Sequence, residues 1–153
     1  MEKKLMIIDR LKELGYDYKP KDLKFMTFDV ASRVGNLIFT SGQISLLDEK
    51  VIKGKIGTDV DIETAKLAAE ICVFNCLCAA GAVVDINEIK RVVKVNGMVN
   101  VADGFNNTTE VINGCSDFIN KVFAENGGHT RSAVGVVLPS NFAVEVEMIF
   151  SLE

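Results

Sequence analysis

Residues 131–150 read RSAVGVVLPSNFAVEVEMIF. Two apolar runs are broken at Pro139-Ser140-Asn141, residue types that favour a turn. In the second run Phe142, Val144, Val146 and Met148 alternate with Ala143, Glu145 and Glu147. That is the period of a strand with one buried face. The first run carries small or apolar residues on both faces, as a strand does when neither face meets water. If the two strands pair around Pro139–Asn141, Arg131 and Glu145 can share a sheet face, depending on register. An arginine at the mouth of an apolar strand must be solvated, paired or used. The residues alone leave two uses open: a structural ion pair with Glu145, or a pocket whose guanidinium grips a carboxylate bidentately.

Working outward, Gly127-Gly128 close a helix that begins near Asn107, with Glu110 as a capping-box partner. Its buried stripe is Val111, Cys115, Phe118 and Val122, broadened by Ile112 and Ile119. The chain's one histidine, His129, stands in the loop between this helix and Arg131. Residues 89–100 predict a strand with a glycine interruption at Gly97. Residues 62–80 predict a long helix with Asp61 as N-cap and Gly81 as stop. The second half of that helix is apolar all round, so Asn75 within it needs a hydrogen-bonding partner. Before it, Lys24–Val30 and Asn36–Ser41 predict a hairpin across ASRVGN. Gly42 then interrupts a run that continues to Ile44, marking either a bulge with close backbone approach or a plain strand end. Lys3–Leu14 predicts an amphipathic helix with apolar residues at Leu5, Ile8 and Leu11 and also at Met6, Ile7 and Leu14.

This order predicts an α+β sandwich, two long helices covering one face of a mostly antiparallel sheet. Two helices leave the second face bare, and the N-terminal helix is too short to cover it. A second copy of the chain is the expected cover, so the sequence predicts a homo-oligomer.

Composition narrows the function. At 153 residues the chain suits one domain. No apolar run reaches the roughly 18–20 residues of a membrane span, and the charged first residues do not read as a signal peptide. A net charge of −4, scattered Lys and Arg and the absence of tryptophan argue against nucleic acid as a partner. Cys72, Cys76, Cys78 and Cys115 do not form a disulfide framework and read as reduced thiols of a cytoplasmic protein. With one distant histidine they do not make a zinc site either. No phosphate-cradling glycine motif is present.

Three stretches together resemble one family: TSGQI (Thr40–Ile44), FNCLCAAGA (Phe74–Ala82), and RSAVGVVLPSN followed by VEVEMI. The chain is similar, over roughly residues 24–153, to the YjgF/Rid family of reactive imine and enamine deaminases, also labelled endoribonuclease L-PSP. VINGCSDFINKVF (Val111–Phe123) with GGHTRSAVGV is similar to a branch that bears an N-terminal helical extension. The resemblance implies an N-terminal helix and connector (1–23) ahead of a single Rid-like domain (24–153). It also implies a chorismate-mutase-like fold whose sheets close into a barrel in a homotrimer, with a pocket at each subunit interface. The implied reaction is hydrolysis of 2-imino acids such as 2-iminopropanoate to a 2-keto acid and ammonia, with no cofactor and no metal. By resemblance Arg131 grips the substrate carboxylate and Glu145 orients the attacking water. Ser41, Gly42 and Asn113 line the pocket. Two positions depart from better-known members: Phe28 stands where they carry tyrosine, and Ala133 where they carry cysteine. Two other readings accompany this one. A non-catalytic trimer would keep Arg131 as a carboxylate receptor. An endoribonuclease would have only His129 and an acidic surface to work with.

Overall fold

The apolar run after Asp61 forms the centre of the fold. In the computed structural model, which describes residues 4–153, the chain begins with α1 (Ile7–Glu13) and a small hairpin, β1 (Lys24–Phe25) and β2 (Phe28–Asp29). Then come β3 (Ala31–Val34), β4 (Leu37–Thr40) and β5 (Gln43–Ile44). A second small hairpin, β6 (Leu46–Leu47) and β7 (Lys50–Val51), precedes α2 (Ile62–Ala80) and β8 (Arg91–Asn100). α3 (Thr108–Phe123), β9 (Thr130–Val136) and β10 (Val144–Ser151) follow. Asp61 caps α2 as expected, its carboxylate accepting from the Thr64 amide at 2.7 Å. Asn75 finds its partners in loop carbonyls, donating to Ile44 O at 3.1 Å and Leu46 O at 2.8 Å. Among the described residues no helix is long and apolar enough to cross a membrane.

The main sheet runs β3-β4-β10-β8-β9, with β5 also paired to β10. Its pairs are antiparallel except β8 and β9, which are parallel. The hairpin considered for the last two strands therefore does not form. α3 returns the chain to the start of β8, so β9 enters in the same direction, as a helical crossover requires. Residues 137–143 then step over the end of β8 and pair elsewhere. Gly54 N donates to Asn141 O at 2.8 Å, and Ala143 N donates to Ile52 O at 3.1 Å. The buried Asn100 side chain pins this crossing, donating to Gly54 O at 3.2 Å and to Asn141 Oδ1 at 2.9 Å.

Two further readings are corrected. The ASRVGN stretch is not a connector: Ala31–Val34 is itself β3, paired to β4 across Gly35-Asn36, while Lys24–Asp29 folds on itself as β1–β2. The N-terminal helix is shorter than Lys3–Leu14, and residue 3 lies outside the described residues. Ile7 and Leu11, one turn apart, are its buried side chains, while Leu5 and Ile8 are exposed.

Val92, Val95, Val99, Val144, Val146, Met148 and Phe150 point under α2 and α3 and are essentially buried. The two helices touch closely at Gly114, where a Cβ would stand 2.2 Å from the Lys66 carbonyl oxygen. Gly97 is not an interruption of β8 but a space for Ile112, whose Cδ1 would lie 2.5 Å from a Cβ there. α1 packs on α3 and on the turn Ile86–Glu88, away from the sheet. The opposite sheet face stays open, and Leu37, Phe39 and Val134 are exposed on it.

Candidate functional site

The residues singled out in the sequence fall into two groups on opposite faces of the sheet. Glu145 alternates with the buried Val144 and Val146, so it projects from the open face. Arg131 is level with the buried Val95, so it projects from the helix face, at the far edge of the sheet. Among the described residues no salt bridge involves Arg131. The ion pair left open by the sequence therefore does not exist within one chain.

The first group surrounds a cleft of about 420 Å³ that includes Phe28, Gly42 and Glu145 among its lining residues. The strand path bends here. β10 pairs β4 through Ile149–Ser151 but β5 through Glu145 and Val146. Between them the Met148 amide donates to the Thr40 hydroxyl at 3.0 Å, a side chain replacing the missing backbone acceptor. The bend lays Gly42 against Glu145: a Cβ at residue 42 would stand 2.9 Å from Glu145 Cδ. The glycine therefore makes room for the glutamate itself. Ser41 anchors the bend, its hydroxyl donating to Asp29 O at 2.7 Å. Phe28 is 46% exposed and packs edge-on against Phe25, ring centroids 5.6 Å apart. Val30, Ile44, Leu46, Lys21, Asn75 and Pro139 also line the cleft, with Gln43.

The two glutamates of VEVE have different tasks. Glu147 is exposed and accepts from Asn96 Nδ2 at 2.8 Å. Glu145 is half-buried. Burial, and secondarily the nearby Glu147, holds its carboxyl above the usual glutamate range. A carboxyl that gives up its proton less readily, beside an apolar cleft, is suited to acid–base chemistry.

The second group lies along α3 and β9. Arg131 Nη1 donates to Ser116 Oγ at 2.9 Å and Nη2 to Thr109 O at 3.2 Å. Both acceptors are neutral, so the guanidinium charge is uncompensated and three of its five N–H groups remain for an anion. Ala133 is on the same face of β9, and its carbonyl accepts from Thr108 Oγ1 at 3.0 Å. Asn113 lies one turn beyond Thr109 on the same side of α3. Ser116 and Thr109 were not singled out from the sequence. Their signal was a polar stripe, Thr109-Asn113-Ser116, at helical spacing opposite the apolar one. His129, in the loop between α3 and β9, is hydrogen-bonded to Ser116 at 2.9 Å.

The cysteines offer no nucleophile. All four are free and buried. Burial pushes the Cys76 thiol up to about 12, and Cys72 and Cys115 are likewise raised by burial. Among the described residues no cluster of three or more His, Cys, Asp or Glu is placed to hold a metal ion.

Comparison with known proteins adds a family. Residues 10–151 match the family model described as "YjgF/chorismate_mutase-like, putative endoribonuclease". The chain is 36% identical to Protein TCP17 of Trypanosoma cruzi over 122 residues, covering 77% of this chain and 76% of that one. The crystal structure of the protein Atu1372 from Agrobacterium tumefaciens, described as of unknown function, superposes with a TM-score of 0.87 at 37% identity. It covers 97% of this chain and 94% of its own. The YjgF gene product of Escherichia coli, at 20% identity and a TM-score of 0.57, covers 89% and 98% and shares the fold.

Proposed function

The chain belongs to the YjgF/chorismate-mutase-like family, and from that premise we propose that it hydrolyses reactive 2-imino acids to 2-keto acids and ammonia. Its site is shared between copies of the chain in a homotrimer. The observation that carries this reading is the split of the site. A half-buried glutamate in an apolar cleft and an arginine without a carboxylate partner sit on opposite sheet faces. Neither completes a pocket alone. The open face, where Leu37, Phe39 and Val134 are exposed beside Asn96 and Glu147, supplies the surface on which copies can associate.

In the assembled site Arg131 of one copy clamps the substrate carboxylate. Glu145 of the next holds a water beside the C=N carbon, takes a proton as the water adds and passes it to the imine nitrogen. It then carries the carbinolamine hydroxyl proton to the amine as the C–N bond breaks, leaving ketone and ammonia. Such imines hydrolyse in water unaided. Positioning and acid–base help of about 10²–10⁴-fold are therefore enough, and the side chains present can supply both. Phe28 offers a ring but no hydroxyl to substrate. Substrate recognition thus rests on the Arg131 clamp and the apolar wall.

The test generates 2-iminopropanoate in situ and follows pyruvate with and without the protein. Arg131→Ala and Glu145→Ala should each abolish acceleration, since losing one partner of a buried charged hydrogen bond costs about 2–5 kcal/mol. Unfolded together and refolded, the two inactive variants should regain about a quarter of the parental sites, because random head-to-tail assembly pairs an intact Arg131 with an intact Glu145 at that frequency. No recovery would show that the site is not shared. No acceleration by the parent protein on any imine would leave the carboxylate-binding reading in its place.

A further inference from the structure

The hydrogen bonds around Arg131 do not stop at Ser116. His129 Nε2 lies 2.9 Å from Ser116 Oγ, and His129 Nδ1 lies 2.7 Å from the carbonyl oxygen of Gly127. We propose that His129 is a positioning residue: acting through Ser116, it orients the guanidinium of Arg131 for its ligand. This rests on the reading of Arg131 as a carboxylate clamp.

The direction of every bond in the chain follows from its last member. A backbone carbonyl only accepts, so His129 Nδ1 carries the proton and donates to Gly127. In the neutral ring Nε2 is then a lone pair and can only accept. Ser116 must therefore give its single proton to His129. Its remaining lone pairs are left to face Arg131 Nη1, which donates at 2.9 Å. Without the imidazole the hydroxyl would rotate, and part of the time its proton would point at the guanidinium instead of its oxygen. Thr109 O holds Nη2 from a helix backbone that cannot rotate, so Ser116 is the one adjustable contact. Gly127 is suited to its end of the chain. It is buried, and a Cβ there would stand 2.3 Å from Asn120 Oδ1 and 3.0 Å from Asn120 Cα, so the turn that presents this carbonyl has little room for a side chain.

The chain carries one histidine, which makes the imidazole directly visible. Nitrogen-15 NMR of the folded protein, at a pH where the ring is neutral, should show the Nδ1–H tautomer, the minor form of free histidine in water. Finding Nε2–H would overturn the proposal whatever the protein's activity. In the imine assay His129→Leu should raise KM about two- to tenfold with kcat near the parental value, the size of one lost neutral hydrogen bond. His129→Gln, whose amide oxygen can accept from Ser116, should recover most of that loss. The double variant His129→Leu/Ser116→Ala should be no worse than Ser116→Ala, because histidine acts only through the serine. A parental KM in His129→Leu, or losses that add in full, would refute the relay. If the parent protein neither turns over imines nor binds pyruvate, the clamp reading fails, and the tautomer measurement still decides the geometry.

Discussion

A methyl group at residue 42 is the sharpest perturbation of the glutamate half-site. In Gly42→Ala the new Cβ would stand 2.9 Å from Glu145 Cδ and 3.1 Å from its Oε2. Gly42 is not among the positive-φ residues, so alanine imposes no backbone strain. What it meets is the end of a flexible side chain, which yields. To reach ordinary contact at about 3.5 Å the carboxyl must retreat by about half an ångström or more. Misplacing a positioned group by about 1 Å costs about 10²-fold in rate. The expected fall in kcat/KM for imine hydrolysis is therefore about 10- to 100-fold, equivalent to about 1.4–2.7 kcal/mol of transition-state stabilisation. Denaturant stability should change by less than about 1 kcal/mol. A second readout is independent of turnover: a carboxyl pushed toward solvent titrates closer to ordinary glutamate, which carbon-13 NMR resolves. A variant with the parental rate and an unmoved Glu145 titration would refute the argument that Gly42 exists to seat this side chain.

Glu145→Gln should be more stable than the parent at pH 7. Burial raises the folded carboxyl's pKa, so between the ordinary value near 4.3 and the raised one the native state binds more protons. The parent therefore loses stability as pH rises through that window. The difference should vanish as the pH falls below about 4; a difference independent of pH in urea titrations would contradict the assignment. Gly114→Ala places a methyl 2.2 Å from the Lys66 carbonyl oxygen, backbone that can yield only if the helices part. Equilibrium denaturation should register a loss of about 1–3 kcal/mol or more, and a loss below about 0.5 kcal/mol would show that the helix contact is looser than described. Phe39→Asp puts a charge on the open sheet face. In sedimentation velocity this variant should run as a folded monomer beside a parental trimer, and an unchanged trimer would move the interface elsewhere.

Strand and helix identities were legible wherever one period dominated. Asp61, the apolar run to Ala80 and Gly81 bounded α2 correctly, and VEVEMIF alternated as a strand should. What misled was adjacency. Arg131–Leu138 and Val144–Ile149 flank a turn-forming tripeptide, the usual mark of a hairpin. No local feature announces that β8 slides between them; that pairing depends on α3 returning the chain and on Asn100 pinning the crossing. The same adjacency left a shared face open to Arg131 and Glu145, which the observed register rules out. At Gly42 the sequence left close approach and a plain strand end both open, and it could not say that the approaching group is Glu145. Ser116 was missed because a polar stripe on an amphipathic helix ordinarily faces water. The role of His129 could not be read without Ser116.

The position of β10 in the sheet also governs the order in which the protein can be made. Its residues, 144–151, form the strand that joins β3–β4 and β5 on one side to β8–β9 on the other. Leu37 must wait for Ser151, and Ile44 for Glu145. A ribosome therefore releases every other strand before the one that unites them. Until then the nascent chain holds an unjoined hairpin, a βαβ unit and a largely apolar helix with no sheet to cover. Translation that stops short of Val144 yields not a smaller version of the protein but fragments with exposed strand edges, fit chiefly for chaperones or for aggregation.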